Sequence, residues 1–316
     1  MEEKHIMRKN IAILSILATS LMSYAAMAQT PPEGAPPVIG DAPPAGAPPE
    51  IAPAPAPAPA AAPVAAPASY PDEYALRPLV LAPGMFQATL PIVINLSKNA
   101  VAKPVFIPLD LRFGVTDQLE VFVNHVVPGG SPAMGGGPVP AAGLCLGGTD
   151  RKCPKVYNNV NVGGQYSFLK ASGVELSGLL AAQFRQFSPD MLFAVDVGVG
   201  VKYVSAPVSV RLNPQIAIGI NKRDGGNKEY LGVPVQIAVQ AAPQVAAFID
   251  SGIFGPTSHF GDLYTLPIGI GASFLAMHGL DVGLEFMLPM VAKGSFYGGG
   301  AADARDVMIF ASWRSQ

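Results

Sequence analysis

A strict two-residue alternation is the sequence feature that most constrains this fold, and it is clearest between Val105 and Val126. From Val105 to Phe113 the odd positions are all apolar, while Asp110 and Arg112 occupy even positions. The alternation resumes after a short turn at Val115–Gln118. Because successive side chains of a strand point to opposite faces, the stretch predicts a β-hairpin with one apolar and one polar face.

The same unit, about ten alternating residues and then a turn, recurs from about Leu79 to Trp313. We count twelve runs, and a total between ten and fourteen stays open. The runs cover approximately residues 84–96, 105–114, 119–126, 157–169, 174–186, 192–204, 208–221, 230–241, 244–254, 264–275, 280–290 and 305–313. Mean hydropathy is +0.35 and only 13% of residues are charged. Beyond the N-terminus no apolar run approaches the roughly 18–20 residues of a spanning helix, so the apolar area is dispersed along strands.

The connections between these runs alternate in length. The short ones are Val115–Gln118, Lys170–Gly173, Ser205–Pro207, Ala242–Pro243 and Ala276–Gly279. The long ones are Ser97–Pro104, Val127–Val156, Lys222–Glu229, Gly255–Leu263 and Val291–Ala304, and only Phe187–Met191 departs from the pattern. Short turns at one end and long loops at the other are typical of outer-membrane barrels. The prediction is an all-β chain: an antiparallel transmembrane β-barrel of about twelve strands in a bacterial outer membrane.

In the strands that run toward the short turns, the last outward-facing residue is aromatic in five cases. These residues are Phe113, Phe168, Tyr203, Phe274 and Trp313. Amphipathic rings prefer the membrane interface, so these five residues are predicted to form an aromatic girdle in contact with outer-membrane lipid.

The opposite face of the strands carries the charges. The predicted lumen-lining residues are Asp110, Arg112, Glu120, Glu175, Arg185, Asp196, Lys202, Arg211, Asp250, Asp281 and Glu285. An Arg or Lys at the lipid midplane would cost about 2–4 kcal/mol, so the charged side chains should face water or one another. Two interpretations stay open: a polar channel lining with mild cation preference, or a neutralising network that plugs a narrow lumen.

The N-terminus predicts export. Residues 1–28 have a positive start, the apolar stretch Ile11–Met22 and the small-residue site Ala26–Ala28, and they are predicted to be a signal peptide. Residues 29–73 are predicted to be a disordered Pro/Ala-rich periplasmic linker, because proline removes donors and fixes φ. Residues 74–316 are predicted to form the barrel domain.

Cys145 and Cys153 are the two cysteines of the chain. In an oxidising compartment they are predicted to pair in a disulfide. The pair lies in the long loop Val127–Val156, which is rich in Gly and Pro. This loop is predicted to fold either inward as a constriction or outward as a binding surface.

Enzymatic chemistry finds no support in the sequence. His125, His259 and His278 are dispersed and have no metal-ligand spacing, so neither a metal nor another cofactor is predicted. Ser258 and His259 are adjacent, and neighbours on an extended chain point apart, so they make a poor nucleophile–base pair. A net charge of -2 gives no basic face for nucleic acid. The chain is therefore predicted not to be an enzyme.

The hairpin pattern LRFGVTDQLEVFV, residues 111–123, resembles those of transporter-type outer-membrane barrels, including the phenol-degradation meta-pathway family. The likeness covers about residues 79–313 and implies passage of small organic solutes. One feature departs from such barrels, which commonly end on an aromatic residue. Here Trp313 is followed by Arg314, Ser315 and Gln316.

Two functions are carried forward. The first is passive diffusion of small solutes through the polar lumen of a barrel that is a monomer. The alternative is a structural or adhesive barrel whose outer loops bind a partner and whose residues 30–70 contact peptidoglycan.

Overall fold

The computed structural model describes residues 70–98, 100–126, 130–133, 142–147, 153, 155–185, 187 and 191–315. Its strands are β1 (Phe86–Asn95), β2 (Val105–Ile107), β3 (Asp110–Gly114), β4 (Leu119–Asn124), β5 (Gly143–Leu146), β6 (Tyr157–Asn158), β7 (Val160–Ala171), β8 (Val174–Arg185), β9 (Leu192–Ser205), β10 (Val208–Leu212), β11 (Gln215–Gly219), β12 (Tyr230–Ala242), β13 (Val245–Pro256), β14 (Thr265–Met277), β15 (Leu280–Lys293) and β16 (Asp306–Arg314). One α-helix, α1 (Phe260–Leu263), and 3₁₀ turns at Tyr74–Leu76 and Arg223–Gly225 complete the described elements. No helix among the described residues is long and apolar enough to cross a membrane.

The strands form one antiparallel sheet that closes on itself. Each strand pairs with at least one of its sequence neighbours, and β16 pairs with β1 over the nine residues Gln87–Asn95. β2 and β3 occupy one position in the wall, and β10 and β11 occupy another. The predicted closed barrel of twelve strands is confirmed.

Two predicted runs are each broken into two strands. Residues 105–114 divide into β2 and β3 at Pro108, and residues 208–221 divide into β10 and β11 at Pro214. Proline has no N–H to donate to the ladder, and both breaks occur where it stands. A third proline, Pro267, lies at the register shift between Leu266 and Ile268.

The third wall position is built from two pieces of chain. β4 ends at Asn124. Beyond that end, β5 takes the same position in the wall, where it pairs with β2 on one side and with β6 on the other. β5 comes from the long loop after β4, and it was not among the predicted strands. The loop therefore leaves the wall and returns to it as a strand.

The two ends of the barrel differ as the connections predict. The hairpins β3–β4, β7–β8, β9–β10, β12–β13 and β14–β15 turn at one end, called here the short-turn end. The opposite end, called the long-loop end, carries the connections 96–104, 220–229 and 294–305 and the helix α1. Large apolar side chains cover the outside, including Leu180, Ile270 and Leu284, while charged side chains are buried inside.

Candidate functional site

The interior of the barrel holds a cavity bordered by predicted lumen residues. Seven of the eleven predicted side chains line it. These seven are Arg112, Glu120, Lys202, Arg211, Asp250, Asp281 and Glu285. Of the remainder, Arg185 and Asp196 lie together further toward the long-loop end, where Gln183 donates to Asp196 at 2.9 Å.

A segment that precedes β1 crosses the lumen near the short-turn end. We call Tyr70–Leu81 the floor segment. Its backbone N–H groups donate to side chains of the wall: Leu79 to Glu175 at 2.7 Å and Leu81 to Glu120 at 3.0 Å. Buried backbone donors need partners, and here carboxylates on two strands supply them.

Arg77 anchors the middle of the floor segment. Its guanidinium contacts both oxygens of Asp281 at 2.8 Å, and Lys202 donates to its carbonyl oxygen. Arg314 also pairs with Asp281. Asp281 thus binds two guanidinium groups, one from the floor segment and one from the wall, and the ion pairs are shielded from solvent.

Aromatic contacts hold the other half of the floor segment. The Tyr74 ring stacks on Phe248 with centroids 5.7 Å apart, and its hydroxyl donates to Gln236 at 3.3 Å. The Ala75 N–H donates to Gln240 at 3.2 Å. Tyr74 and Ala75 thus fix this half of the floor segment to β12 and β13.

The floor segment is the part of the site that sequence reasoning missed. Tyr70–Glu73 falls within the range predicted as linker, and residues 74–81 were assigned no role in the lumen. One signal was present: the Pro/Ala composition gives way at Tyr70 to aromatic and charged residues, in the order YPDEYALR. Aromatic and charged side chains can form stacking contacts, hydrogen bonds and ion pairs, whereas proline and alanine offer few such contacts.

The long loop enters the lumen from the opposite side. Gly130–Pro132 borders the cavity, the Ser131 hydroxyl donates to Glu285, and Ala133 is fully buried. Residues 130–133 therefore lie inside the barrel, whereas β5 of the same loop lies in the wall. Cys145 and Cys153 lie at disulfide distance with Cα atoms 5.6 Å apart.

A cavity of about 190 Å³ remains between the floor segment and the loop. At about 30 Å³ per water, this is space for roughly six water molecules. Its lining is divided. Charged and amide side chains cover one part, while Phe248, Met308 and Phe310 form an apolar patch on another.

The five predicted girdle residues lie on the outside of the barrel. All five are 42–51% exposed and lie near the ends of their strands, toward the short-turn end: Phe113, Phe168, Tyr203, Phe274 and Trp313. Their rings lie around this end, and their contact with the membrane interface stays a prediction.

The histidines are far apart, as their sequence positions require. His125 lies at the end of β4, His259 before α1 and His278 in the β14–β15 turn, where its ring contacts Asp72. No group of three or more His, Cys, Asp or Glu side chains within the described ranges is placed to hold a metal ion.

No protein-family model and no curated protein matches the chain. Among solved structures, an outer membrane channel from Pseudomonas putida F1 aligns with a TM-score of 0.51 at 9% identity, over 75% of this chain and 97% of that one. The NanC porin gives 0.49 at 6% identity, over 72% and 100%, and the KdgM porin gives 0.46 at 9%, over 72% and 98%. The chain has the fold of an outer-membrane channel barrel, and at these identities the likeness is one of fold.

Proposed function

We propose that this protein is an outer-membrane channel for passive diffusion of small solutes, with its lumen closed in part by the floor segment. The observation that carries the proposal is the buried polar lining around a cavity inside a closed barrel. Charges at this depth are stable only where they meet water or one another. A barrel built only as a scaffold could fill this space with apolar side chains.

The floor segment limits what can pass. With it in place, the cavity has room for a solute of a few heavy atoms only. Larger solutes require the floor segment to leave, and most of its backbone anchors are hydrogen bonds to side chains of the wall rather than strand pairings. Such contacts are individually worth about 1.5–3 kcal/mol when one partner is charged.

Single-channel recording in planar bilayers tests this function. We expect discrete conductance steps from the wild type. The double variant Glu120→Gln, Glu175→Gln weakens the acceptors of the Leu81 and Leu79 N–H groups, so its larger steps should occur more often. Glu229→Gln, which changes a loop carboxylate outside the lumen, is the matched control. A silent wild type and a silent double variant would reject the channel.

Ion selectivity tests the role of the lining. Acidic residues outnumber basic ones in the predicted set, and this favours a mild cation preference. Neutralising Asp196 or Glu285 should lower it, as measured by reversal potential in a salt gradient. An unchanged reversal potential in both variants would show that these residues do not line the conduction pathway.

The closed floor also favours a second candidate, a structural or adhesive barrel with a plugged lumen. In that case the protein is silent in bilayers, and residues 30–70 crosslink to peptidoglycan in cells. For either function we propose a monomer in outer-membrane lipid, exported by residues 1–28, with its N-terminal linker in the periplasm. The chain is then a passive conduit or scaffold and not an enzyme.

A further inference from the structure

One row of side chains crosses the cavity wall at a single height. Arg211 on β10 is in register with Gln236 on β12, and Gln236 is in register with Asp250 on β13. Gly269 on β14 takes the next position. The carboxylate of Glu285 lies over this glycine, because a Cβ atom there would be 2.4 Å from Glu285 Oε1. Neighbouring strands are about 4.8 Å apart, so Arg211 and the two carboxylates face the cavity from separate positions.

The cation of this row makes no salt bridge with the described residues. Arg211 Nε donates to Asn213 Oδ1 at 3.4 Å. Among the residues that the structure describes, no carboxylate oxygen lies within 4.0 Å of its guanidinium nitrogens. The other guanidinium groups of the cavity are occupied: Arg77 by Asp281 and Arg112 by Asp110 and Glu120. Arg211 is therefore able to bind an anionic group in the cavity.

Within the described ranges, the two carboxyl groups accept hydrogen bonds from neutral donors only. Asp250 accepts from Gln236 at 3.1 Å, and Glu285 accepts from Ser131. Glu285 Oε1 has no hydrogen-bond partner in the part of the chain that the structure describes, and Asp250 and Glu285 are 2% and 1% exposed. Buried charges are normally paired. Arg211 lies on one side of Gln236 and two carboxyl groups lie on the other, so the row offers separate partners for an anionic and a cationic group of a molecule in the cavity.

We propose that this cavity binds a small zwitterion, with its anionic group at Arg211 and its cationic group at Asp250 and Glu285. The volume of about 190 Å³ suits a molecule of amino-acid size and is below the roughly 300–1,000 Å³ of drug-sized pockets. The inference rests on the proposed channel function for its meaning, since the site then selects which small solute enters. A solute with only one charge leaves one side of the row unmatched.

Saturation-transfer NMR on the full-length protein in detergent micelles tests the site without measuring flux. The probes are alanine, propionate and propylamine, which carry both charged groups, the anion alone and the cation alone. We expect alanine to bind and each single-charge probe to bind about tenfold more weakly, because one charge-assisted hydrogen bond is lost. Equal binding of alanine and either single-charge probe would overturn the proposal.

Variants locate the site. Arg211→Gln should weaken alanine binding without weakening propylamine binding, and Asp250→Asn with Glu285→Gln should weaken alanine without weakening propionate. Arg185→Gln, an inward arginine that does not border the cavity, should leave alanine binding unchanged. Heat-modifiable gel mobility shows whether each variant folds. If the double variant does not fold, Arg211→Gln alone tests the proposed site. Alanine binding that survives Arg211→Gln rejects the site.

The two proposals fail differently. Alanine binding in a protein that is silent in bilayers would reject the channel and keep the site. Conductance without preferential alanine binding would reject the site and keep the channel.

Discussion

Gly269 shows how a missing side chain makes room for a charge. The glycine faces the lumen from β14, and the Glu285 carboxylate occupies the space where a Cβ atom would stand. Met287 fills the rest of this space, with its Cε atom 2.5 Å from the same position. The glycine thus positions a carboxylate that belongs to the neighbouring strand.

Gly269→Ala should lower the free energy of unfolding by about 1–3 kcal/mol, the usual cost of overpacking a well-filled interior. The added methyl group must displace Glu285 from Ser131 or Met287 from its buried site. Urea unfolding in lipid vesicles measures the change. Gly178→Ala on β8 is the control, since nothing lies within 4 Å of its Cβ position. Equal destabilisation by both substitutions would contradict the prediction.

The loop carboxylate Glu229 predicts an acid-sensitive contact at the long-loop end. Burial would raise the pKa of Glu229, but the hydrogen bond and charge of Arg223 outweigh it and the pKa lies below its ordinary value. A depressed pKa contributes stability above the unfolded value of about 4.3, and this is lost as pH falls through the folded value. Amide exchange in residues 222–229, corrected for intrinsic rates, should therefore increase below about pH 4. Glu229→Gln should abolish the dependence, and an unchanged profile in that variant would assign it to another group.

At the scale of elements, His125, which directly follows β4, links the break between β2 and β3 to β6. Its Nδ1 donates to the Leu109 carbonyl at 2.6 Å, since a carbonyl can only accept, and the Tyr157 hydroxyl donates to Nε2 at 2.6 Å. Leu109 stands in the break between β2 and β3. The imidazole thus satisfies a carbonyl that follows the proline.

His125→Ala should destabilise the barrel by about 1–3 kcal/mol, because the Leu109 carbonyl loses its donor. Tyr157→Phe should cost less, since it removes only the outer hydrogen bond. Thermal unfolding followed by circular dichroism gives both values. The prediction fails if His125→Ala unfolds at the wild-type temperature, or if Tyr157→Phe is the more damaging of the two.

The sequence predicts those features of the fold that are encoded in a local periodicity. The twelve wall positions and the inward phase of residues such as Asp196 and Glu285 follow from an alternation visible within about ten residues. The floor segment could not be predicted in this way, because Leu79 and Arg77 find partners 96 and 204 positions away. β5 was missed for a related reason: its four residues carry no alternation of their own and become a strand by pairing with β2.

At the scale of the whole molecule, the different lengths of the connections fix an orientation. If the short-turn end is periplasmic, Asp117 in the β3–β4 turn is reached only from inside, and Asp224 in the β11–β12 loop only from outside. Intact cells that carry Asp224→Cys should react with a membrane-impermeant maleimide. Cells with Asp117→Cys should react only after the outer membrane is permeabilised. The reverse pattern would invert the barrel.

The position of the floor segment also bears on the order of folding. Its anchors are carried by β4, β8, β9, β12 and β15, so the complete set of partners exists only when nearly the whole sheet has formed. Contacts of such long sequence separation are slow to form, because the entropy of closing large loops is lost before they are made. We therefore expect the floor segment to dock last during assembly. As a late, separately held unit, it should also open in fluctuations that leave the strands of the wall paired.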